Sequence, residues 1–197
     1  MNFIQNLIKI QENIANRVKF KKVKNIERIL CLDAAYKKDK VVTVAVLYDL
    51  KKDEVLEVYY RKDLVRFPYI PGLLFFREGN FMVKLIKKVK KKYDLIIVDG
   101  HGLSHPRMAG LATYVGVITN KPTIGIAKKY LFGDVIDDII YLNNTKVGIK
   151  INRYYFSIGS NIDFDSLKIF IEKINFTYPK AMKIADKLSK CLANKLL

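Results

Sequence analysis

Three β-rich segments joined by very short charged turns are the feature that most limits how this chain can fold. The segments cover residues 29–35, 41–47 and 55–60, and the turns between them cover 37–40 and 51–54. Connections of this length join antiparallel neighbours, because a parallel arrangement needs a much longer crossover. The pattern therefore predicts a three-strand antiparallel meander in the first third of the chain.

After the meander, helical and strand patterns alternate. A helical pattern at about 73–92 precedes an apolar run at 95–98, which is typical of a strand buried on both faces. We expect a further helix at 106–118 and a second buried strand at 123–126. A meander continued by parallel strands predicts an α/β fold, a mixed central sheet flanked by helices. The other expected elements are an amphipathic helix at 2–19, a hairpin of 147–149 and 154–156, and closing helices at about 163–174 and 179–193.

The charge balance indicates an anionic partner. Lys and Arg total 36 against 19 Asp and Glu, which gives a formal net charge of +17. Nucleic acid is the first candidate, because basic side chains that bind its phosphates release counterions, and this release favours binding. An anionic membrane surface and a lysine-rich compositional bias are the alternatives that charge alone leaves open.

Composition also indicates whether the chain folds and in which compartment it is expected. Half of the residues are hydrophobic, which excludes a disordered chain. Two distant cysteines, Cys31 and Cys191, form neither a disulfide framework nor a zinc site, so we expect a reducing, cytoplasmic location. The first residues lack the pattern of a signal peptide, and no apolar run approaches the ~18 residues that span a bilayer. With no linker or repeat, we expect residues 1–197 to form one monomeric domain with no membrane partner.

Two aspartates occupy equivalent places in the strand pattern. Asp33 ends the apolar run 29–32, and Asp99 ends the run 95–98. A carboxylate in such a place is unfavourable unless its charge is compensated. If the two strands are neighbours, the carboxylates converge, and a divalent cation such as Mg²⁺ relieves their repulsion. The alternative is that each aspartate caps a turn, since Asp99 precedes Gly100.

The stretch 99–107 is the most informative part of the sequence, because it contains both histidines of the chain and two glycines. Pro106 is expected as the first residue of a helix whose N-terminal amides could meet an anion. His105 could polarise a phosphate or carry a proton, and Arg107 could clamp a phosphate. A structural hydrogen bond is the alternative for an isolated histidine, but the clustering favours a functional site.

Glu78 and Lys128 are further candidates for chemistry. Glu78 lies in an apolar helical stretch whose neighbours three and four residues away offer no salt-bridge partner, so a site acid and a solvated surface acid both remain open. Lys128 follows the strand at 123–127, where its ammonium group could meet a phosphate or a leaving group. In a lysine-rich chain this second observation carries little weight alone.

Residues 68–72, Pro-Tyr-Ile-Pro-Gly, predict a rigid loop that presents Tyr69 between two prolines. An enzyme that acts on a base must take it out of the stack, and an inserted side chain that fills the gap assists this step. The alternative is a turn whose tyrosine packs against the sheet edge.

Together these motifs resemble the endonuclease V family of deoxyinosine-directed nucleases. The resemblance extends over about residues 1–190 and is densest from 68 to 133. The chain departs from the family pattern at 159–161 and at 176–182. The matching segments are 32–33, 69–74 with 77–78, 98–102 with 105–107, 110–112, 122–128 and 131–133.

The resemblance implies a ribonuclease H-like fold and a Mg²⁺ site, with Mn²⁺ as substitute, built on Asp33, Glu78 and Asp99. It also implies that Tyr69 is the wedge beside the lesion. The implied catalytic residues are Asp33, Glu78, Asp99, His105, Lys128 and, at a C-terminal polar position near the metals, Asp186. The implied nucleic-acid contacts are Pro68, Tyr69, Ile70, Pro71, Gly72, Leu74, Gly100 and Arg107.

The activity that the resemblance implies is hydrolysis of the second phosphodiester bond 3′ to deoxyinosine in DNA, leaving 3′-hydroxyl and 5′-phosphate ends. Hypoxanthine would be read by backbone groups near 72–74 and Gly100. This is chemically reasonable, because the base lacks the exocyclic amines of guanine and adenine. An inosine-specific endoribonuclease, a structure-selective nuclease of the same fold and a non-catalytic nucleic-acid binder are the alternatives.

Overall fold

The computed structural model describes residues 3–196 and places its strands in one open sheet with helices on both faces. The start of the helix expected at residue 2, and residues 1 and 197 of the expected domain, lie outside the described residues. The strands are β1 (Arg28–Lys37), β2 (Lys40–Asp49), β3 (Glu54–Leu64), β4 (Leu95–Asp99), β5 (Thr123–Ala127), β6 (Asp134–Ile136), β7 (Ile139–Leu142), β8 (Thr145–Ile151) and β9 (Tyr154–Ser160). The helices are α1 (Phe3–Ala15), α2 (Leu74–Ile86), α3 (Leu111–Thr119), α4 (Phe164–Lys173) and α5 (Lys180–Leu196).

The sheet order β3-β2-β1-β4-β5-β9-β8-β7-β6 combines antiparallel and parallel pairs. β1, β2 and β3 form the predicted meander, and β4 and β5 continue from β1 in parallel. β9 then pairs antiparallel with β5 and forms the predicted hairpin with β8. The predicted α/β fold with a mixed central sheet flanked by helices is confirmed.

Alternating side chains of the central strands enter two separate apolar cores. Leu30 and Leu32 of β1 pack with Met82 of α2 and with α3, whereas Cys31 packs with Ala185 of α5 on the opposite face. This alternation follows from the two-residue period of a strand. Asp33 is two residues after Cys31 in β1, so its side chain lies on the same face of the sheet, which α5 covers.

The parallel strands bring their carboxyl ends to one edge of the sheet. Leu32 of β1 is in register with Val98 of β4, so Asp33 and Asp99 occupy the next positions of neighbouring strands. Asp99 in turn is in register with Ile126 of β5, two residues before Lys128. Three chemistry-bearing residues are therefore adjacent because of strand register alone.

The chain after β4 differs from the sequence-based expectation in two places. The helix expected from Pro106 begins at Leu111, with Gly110 as its N-cap. Pro106 lies instead in a turn closed by a 2.8 Å hydrogen bond from the Met108 amide to the His105 carbonyl, so the expected helix N-terminus at Pro106 is wrong. The hairpin of β6 and β7 was not predicted, although Asp137 and Asp138 both have positive φ, as in a two-residue type I′ turn.

The predicted helix at about 73–92 ends earlier, at Ile86, because the residues that follow are mostly exposed lysines without an apolar face to bury. Among the helices of residues 3–196, none is long and apolar enough to cross a membrane.

Candidate active site

Three carboxylates from three different elements meet at the carboxyl edge of the parallel strands. Asp33 of β1, Asp99 at the end of β4 and Asp186 of α5 each offer an oxygen that lies within 4.8 Å of the other two. Asp33 is 5% exposed, whereas Asp99 and Asp186 are half-buried and accessible from solvent. We call these residues the acidic trio.

The electrostatics of the trio favour an additional positive charge. Burial, and then the charge of Asp99, raises the pKa of Asp33 to about 7, while the hydrogen bond from the Ser189 hydroxyl opposes this rise. An acid with so high a pKa is incompletely compensated by its protein neighbours. The donor set consists only of oxygen atoms, as hard divalent cations such as Mg²⁺ require, so the residues fit the metal that the sequence implied.

Lys128 supplies part of the missing charge. Its ammonium nitrogen lies 2.9 Å from an oxygen of Asp99 and 2.8 Å from an oxygen of Asp186. Partial burial lowers the pKa of Lys128, but the hydrogen bonds to Asp186 and Asp99 outweigh burial and raise it above its usual range. Lys190 binds the second oxygen of Asp186 at 2.6 Å. Partial burial opposes ionisation of Asp186, yet these two lysines hold its pKa below the usual range.

Glu78 lies near the trio but does not belong to it. It is 8% exposed on α2, on the face of the sheet opposite to α5, which explains its separation from Asp186. Burial, with a further contribution from the charges of Asp33 and Asp99, raises the pKa of Glu78 to about 7. The family resemblance implied Glu78 as a metal ligand beside Asp33 and Asp99, and this role stays a prediction; the acids whose oxygens lie within 4.8 Å of one another are Asp33, Asp99 and Asp186.

The loop at 68–72 is held in a defined conformation. The Leu73 amide donates a 3.0 Å hydrogen bond to the Ile70 carbonyl around Pro71 and Gly72, and Gly72 has φ +75°. Proline followed by a left-handed glycine is the signature of a type II turn. Tyr69 is 68% exposed, so the loop presents this ring to solvent rather than packing it on the sheet edge.

His105 and Arg107 contact this loop rather than the acidic trio. His105 Nε2 lies 3.0 Å from the Gly72 carbonyl oxygen, and Arg107 Nη2 donates to the same oxygen at 3.1 Å. Burial, followed by the positive charge of Arg107, lowers the pKa of His105 to about 4, so its ring is neutral at physiological pH. With the backbone amide of Arg107 donating to Nδ1, the proton of the ring resides on Nε2.

A cavity of about 420 Å³ extends from the loop to Asp99, the member of the acidic trio that lines it. Tyr69, Pro71 and Gly72 line one side, and Asp99 and Gly100 line another. Its size and its combination of apolar walls with a few polar groups are typical of a small-molecule or base pocket. The remaining lining comes mainly from Leu74, Phe75, the two histidines, 109–111 and 127–131.

The family model of endonuclease V matches residues 8–187. This chain belongs to the endonuclease V family. An endonuclease V of Sulfolobus acidocaldarius is 42% identical over 198 residues, covering 98% of this chain and 97% of the relative. The structure of endonuclease V from Streptomyces avermitilis superposes with a TM-score of 0.82 at 27% identity, covering 97% of this chain and 93% of that one.

A more distant endonuclease V structure shares the fold at 20% identity. It comes from Ciona intestinalis, has a TM-score of 0.85, and covers 98% of this chain and 99% of its own. That protein is described in complex with a 24mer DNA containing an inosine followed by a ribo-adenosine. The family assignment confirms the predicted enzyme class, an endonuclease.

Several residues of this endonuclease V site were not found by sequence reasoning. Ser189 lies three residues after Asp186 on α5, a spacing that puts both side chains on one helix face and could have indicated it. Gln11 of α1 binds Arg107 and the Gly72 carbonyl, although it lies 61 positions before Gly72. Nothing in the sequence around Gln11 indicates this role. The Tyr178 hydroxyl is buried with no hydrogen-bond partner within residues 3–196; burial, then the charges of Asp99 and Asp33, raises its pKa.

Proposed function

We propose that residues 1–197 form one Mg²⁺-dependent endonuclease domain that recognises deoxyinosine in DNA. It hydrolyses the second phosphodiester bond 3′ to the lesion and leaves 3′-hydroxyl and 5′-phosphate ends. The observation that carries the proposal is the cavity between an exposed, pre-shaped Tyr69 loop and the acidic trio. The family assignment and the inosine-containing DNA of the Ciona intestinalis relative support the same substrate class.

The acidic trio would hold the metal ion, and Glu78 would lie near the ion without being one of these three ligands. When bound, Mg²⁺ or Mn²⁺ polarises a phosphate oxygen and lowers the pKa of a coordinated water molecule. Ser189 orients the Asp33 carboxylate by donating a hydrogen bond to it. Glu78, with a pKa of about 7, is suited to accept or release a proton near neutral pH.

Lys128 is the residue of this chain best placed to stabilise negative charge that develops at the scissile phosphate. Its ammonium group lies at the rim of the trio, in hydrogen-bond contact with two of the acids, and is 42% exposed at its side chain. A fixed positive charge in a partly water-excluded site stabilises a developing oxyanion more strongly than it would in water. The formal net charge of +17 attracts the polyanionic substrate to the surface.

Recognition of the base is assigned to the cavity. Tyr69 fills the space that the extruded base leaves in the duplex, and the base enters the pocket beside Gly72 and Gly100. Gly72 and Gly100 have no side chain, so at these positions of the lining only backbone atoms can face the ligand. His105 and Arg107 act on recognition through the loop, because both bind the Gly72 carbonyl.

The test is cleavage of an end-labelled duplex that contains one deoxyinosine, in Mg²⁺ and in EDTA. We expect a nick at the second phosphodiester 3′ to the lesion in Mg²⁺ only, and none in the matched duplex without inosine. Inosine-containing RNA and a branched duplex without inosine are parallel substrates that identify the alternative nucleases. Equal cutting of the undamaged duplex, or cutting in EDTA, contradicts the proposal.

A further inference from the structure

The carbonyl oxygen of Gly72 receives three hydrogen-bond donors from outside the loop. Gln11 Nε2 lies 2.7 Å away, His105 Nε2 3.0 Å away and Arg107 Nη2 3.1 Å away. A carbonyl oxygen has two lone pairs, so this acceptor is fully used. The shortest of the three bonds comes from Gln11, a residue 61 positions earlier in the chain.

Gln11 is a buried amide that uses both of its polar ends. Its side chain is on α1 with 0% exposure, and its Oε1 atom accepts a hydrogen bond from Arg107 Nε while Nε2 donates to Gly72. Burying an amide is unfavourable unless its hydrogen bonds are made. The other residues that α1 buries, Leu7 and Ile14, are apolar and dock the helix. Docking of α1 therefore does not require the two buried hydrogen bonds of Gln11, which indicates that they have another role.

The Gly72 carbonyl controls the geometry of the loop. Gly72 is the third residue of the type II turn, so the direction of its carbonyl sets the peptide plane at the junction of the loop and α2. Tyr69, at 68% exposure, has little packing to hold it in place. The conformation in which it is presented thus depends on the anchoring of the turn behind it.

We propose that Gln11 is a positioning residue for lesion recognition, which holds the Tyr69 loop in its binding conformation through the Gly72 carbonyl and Arg107. The loop anchor is a property of the free protein, and its role in lesion recognition rests on the proposed function. Since binding to a preformed loop avoids the entropy of ordering it, loss of the anchor weakens substrate binding more than turnover.

The anchor is tested directly by hydrogen exchange at the backbone amide of Leu73, which closes the turn by donating to the Ile70 carbonyl in the free protein. Gln11→Leu removes the donor to Gly72 and the acceptor for Arg107, so the Leu73 amide should exchange about tenfold faster than in the wild type, the effect of one net hydrogen bond. Gln11→Glu keeps an acceptor for Arg107 but cannot donate, and should accelerate the same amide. Ile14→Val, which weakens the docking of α1 without touching the loop, should leave it unchanged.

Urea unfolding of each variant measures the global stability and separates a folding defect from a local one. Unchanged exchange in both Gln11 variants overturns the proposal, as does equal acceleration in Ile14→Val. The second arm is steady-state cleavage of the deoxyinosine duplex. There Gln11→Leu should raise KM about tenfold with kcat within about twofold, and Ile14→Val should change neither. A fall in kcat at constant KM overturns the positioning role.

The two arms keep this inference separate from the proposed function. If the wild type does not cut the deoxyinosine duplex, the proposed function fails, and hydrogen exchange still decides whether Gln11 anchors the loop. If the wild type cuts as expected and the Leu73 amide of Gln11→Leu exchanges as in the wild type, the anchor fails and the proposed function stands.

Discussion

The hydroxyl group of Ser189 donates a hydrogen bond to the carboxylate of Asp33 across the contact between α5 and β1. This bond stabilises the charged form of Asp33, and so it opposes the effect of burial on the pKa of that carboxyl. The bond also fixes the direction of one oxygen of the acidic trio. It connects residues 156 positions apart, so it exists only in the folded chain.

Ser189→Ala should raise the pKa of Asp33, because the charged form loses a hydrogen bond. The acidic limb of the pH–rate profile in Mg²⁺ should then move to higher pH by about one pH unit, given the usual strength of a hydrogen bond to a carboxylate. Single-turnover cleavage of the deoxyinosine duplex from pH 5.5 to 9 measures this. Ser166→Ala, at another buried serine on α4, is the control and should keep the wild-type profile. An unmoved acidic limb in Ser189→Ala would contradict the assignment.

The metal-free protein should lose stability as pH rises towards 7. Asp33 and Glu78 each have a pKa of about 7 in the folded protein, above the ordinary values of 3.8 and 4.5. The folded state binds these protons more tightly, so their contribution to the free energy of unfolding is fully present below about pH 4 and disappears as pH rises through about 7.

Asp33→Asn tests this pH dependence, because its amide stays neutral. In EDTA it should be more stable than the wild type by roughly 1 to 4 kcal/mol at pH 8 and nearly equal at pH 4, as measured by urea unfolding. Asp165→Asn, at an exposed acid on α4, should show no such dependence. If the free energy of unfolding of Asp33→Asn differs from that of the wild type by the same amount at pH 4 and at pH 8, the buried charge of Asp33 is not the cause of the difference.

Lys128→Met should separate metal binding from catalysis. The ammonium group binds oxygens of Asp99 and Asp186, so it competes with a divalent cation for the same atoms. We expect the variant to bind Mn²⁺ at least as tightly as the wild type in an electron paramagnetic resonance titration. Its cleavage rate should nevertheless fall by about 100-fold or more, since a charge that stabilises the transition state is lost.

The control for Lys128→Met is Lys168→Met, because Lys168 is exposed on α4 and does not line the cavity. Its cleavage rate should stay near that of the wild type. Weaker Mn²⁺ binding by Lys128→Met, or an unchanged rate, would show that the ammonium group has a structural role instead.

Tyr69→Ala should weaken binding to the deoxyinosine duplex by about tenfold or more, the usual effect of removing one aromatic ring that stacks on a base. Mn²⁺ affinity should not change, because the loop contributes no carboxylate to the trio. Fluorescence anisotropy with a catalytically inactive Asp33→Asn background measures the affinity. Tyr60→Ala removes a ring of 50% exposure on β3 and should bind normally. If the protein binds the deoxyinosine duplex equally well with and without Tyr69→Ala, Tyr69 does not act as the wedge.

Local patterns in the sequence predicted the meander and the buried strands, because strand period and short turns act over short stretches of chain. They predicted that Asp33 meets Asp99 only if the two strands are neighbours, and the parallel pairing of β1 with β4 meets that condition. The turn at 70–73 was likewise determined locally, since proline and glycine restrict the backbone by themselves. The expectation of a helix starting at Pro106 failed because a turn of 105–108 satisfies the same proline geometry.

Only the tertiary structure decided how the acids of the site are grouped. Asp186, which the family resemblance already implied, and Ser189, which it did not, join Asp33 because α5 packs on the face of β1 to which Asp33 belongs. Glu78 lies on the opposite face with α2. Gln11 reaches Gly72 because the apolar face of α1 docks on the same core. These contacts join residues 61 to 156 positions apart, and the free energy that forms them comes from burial of whole helices, which no local pattern specifies.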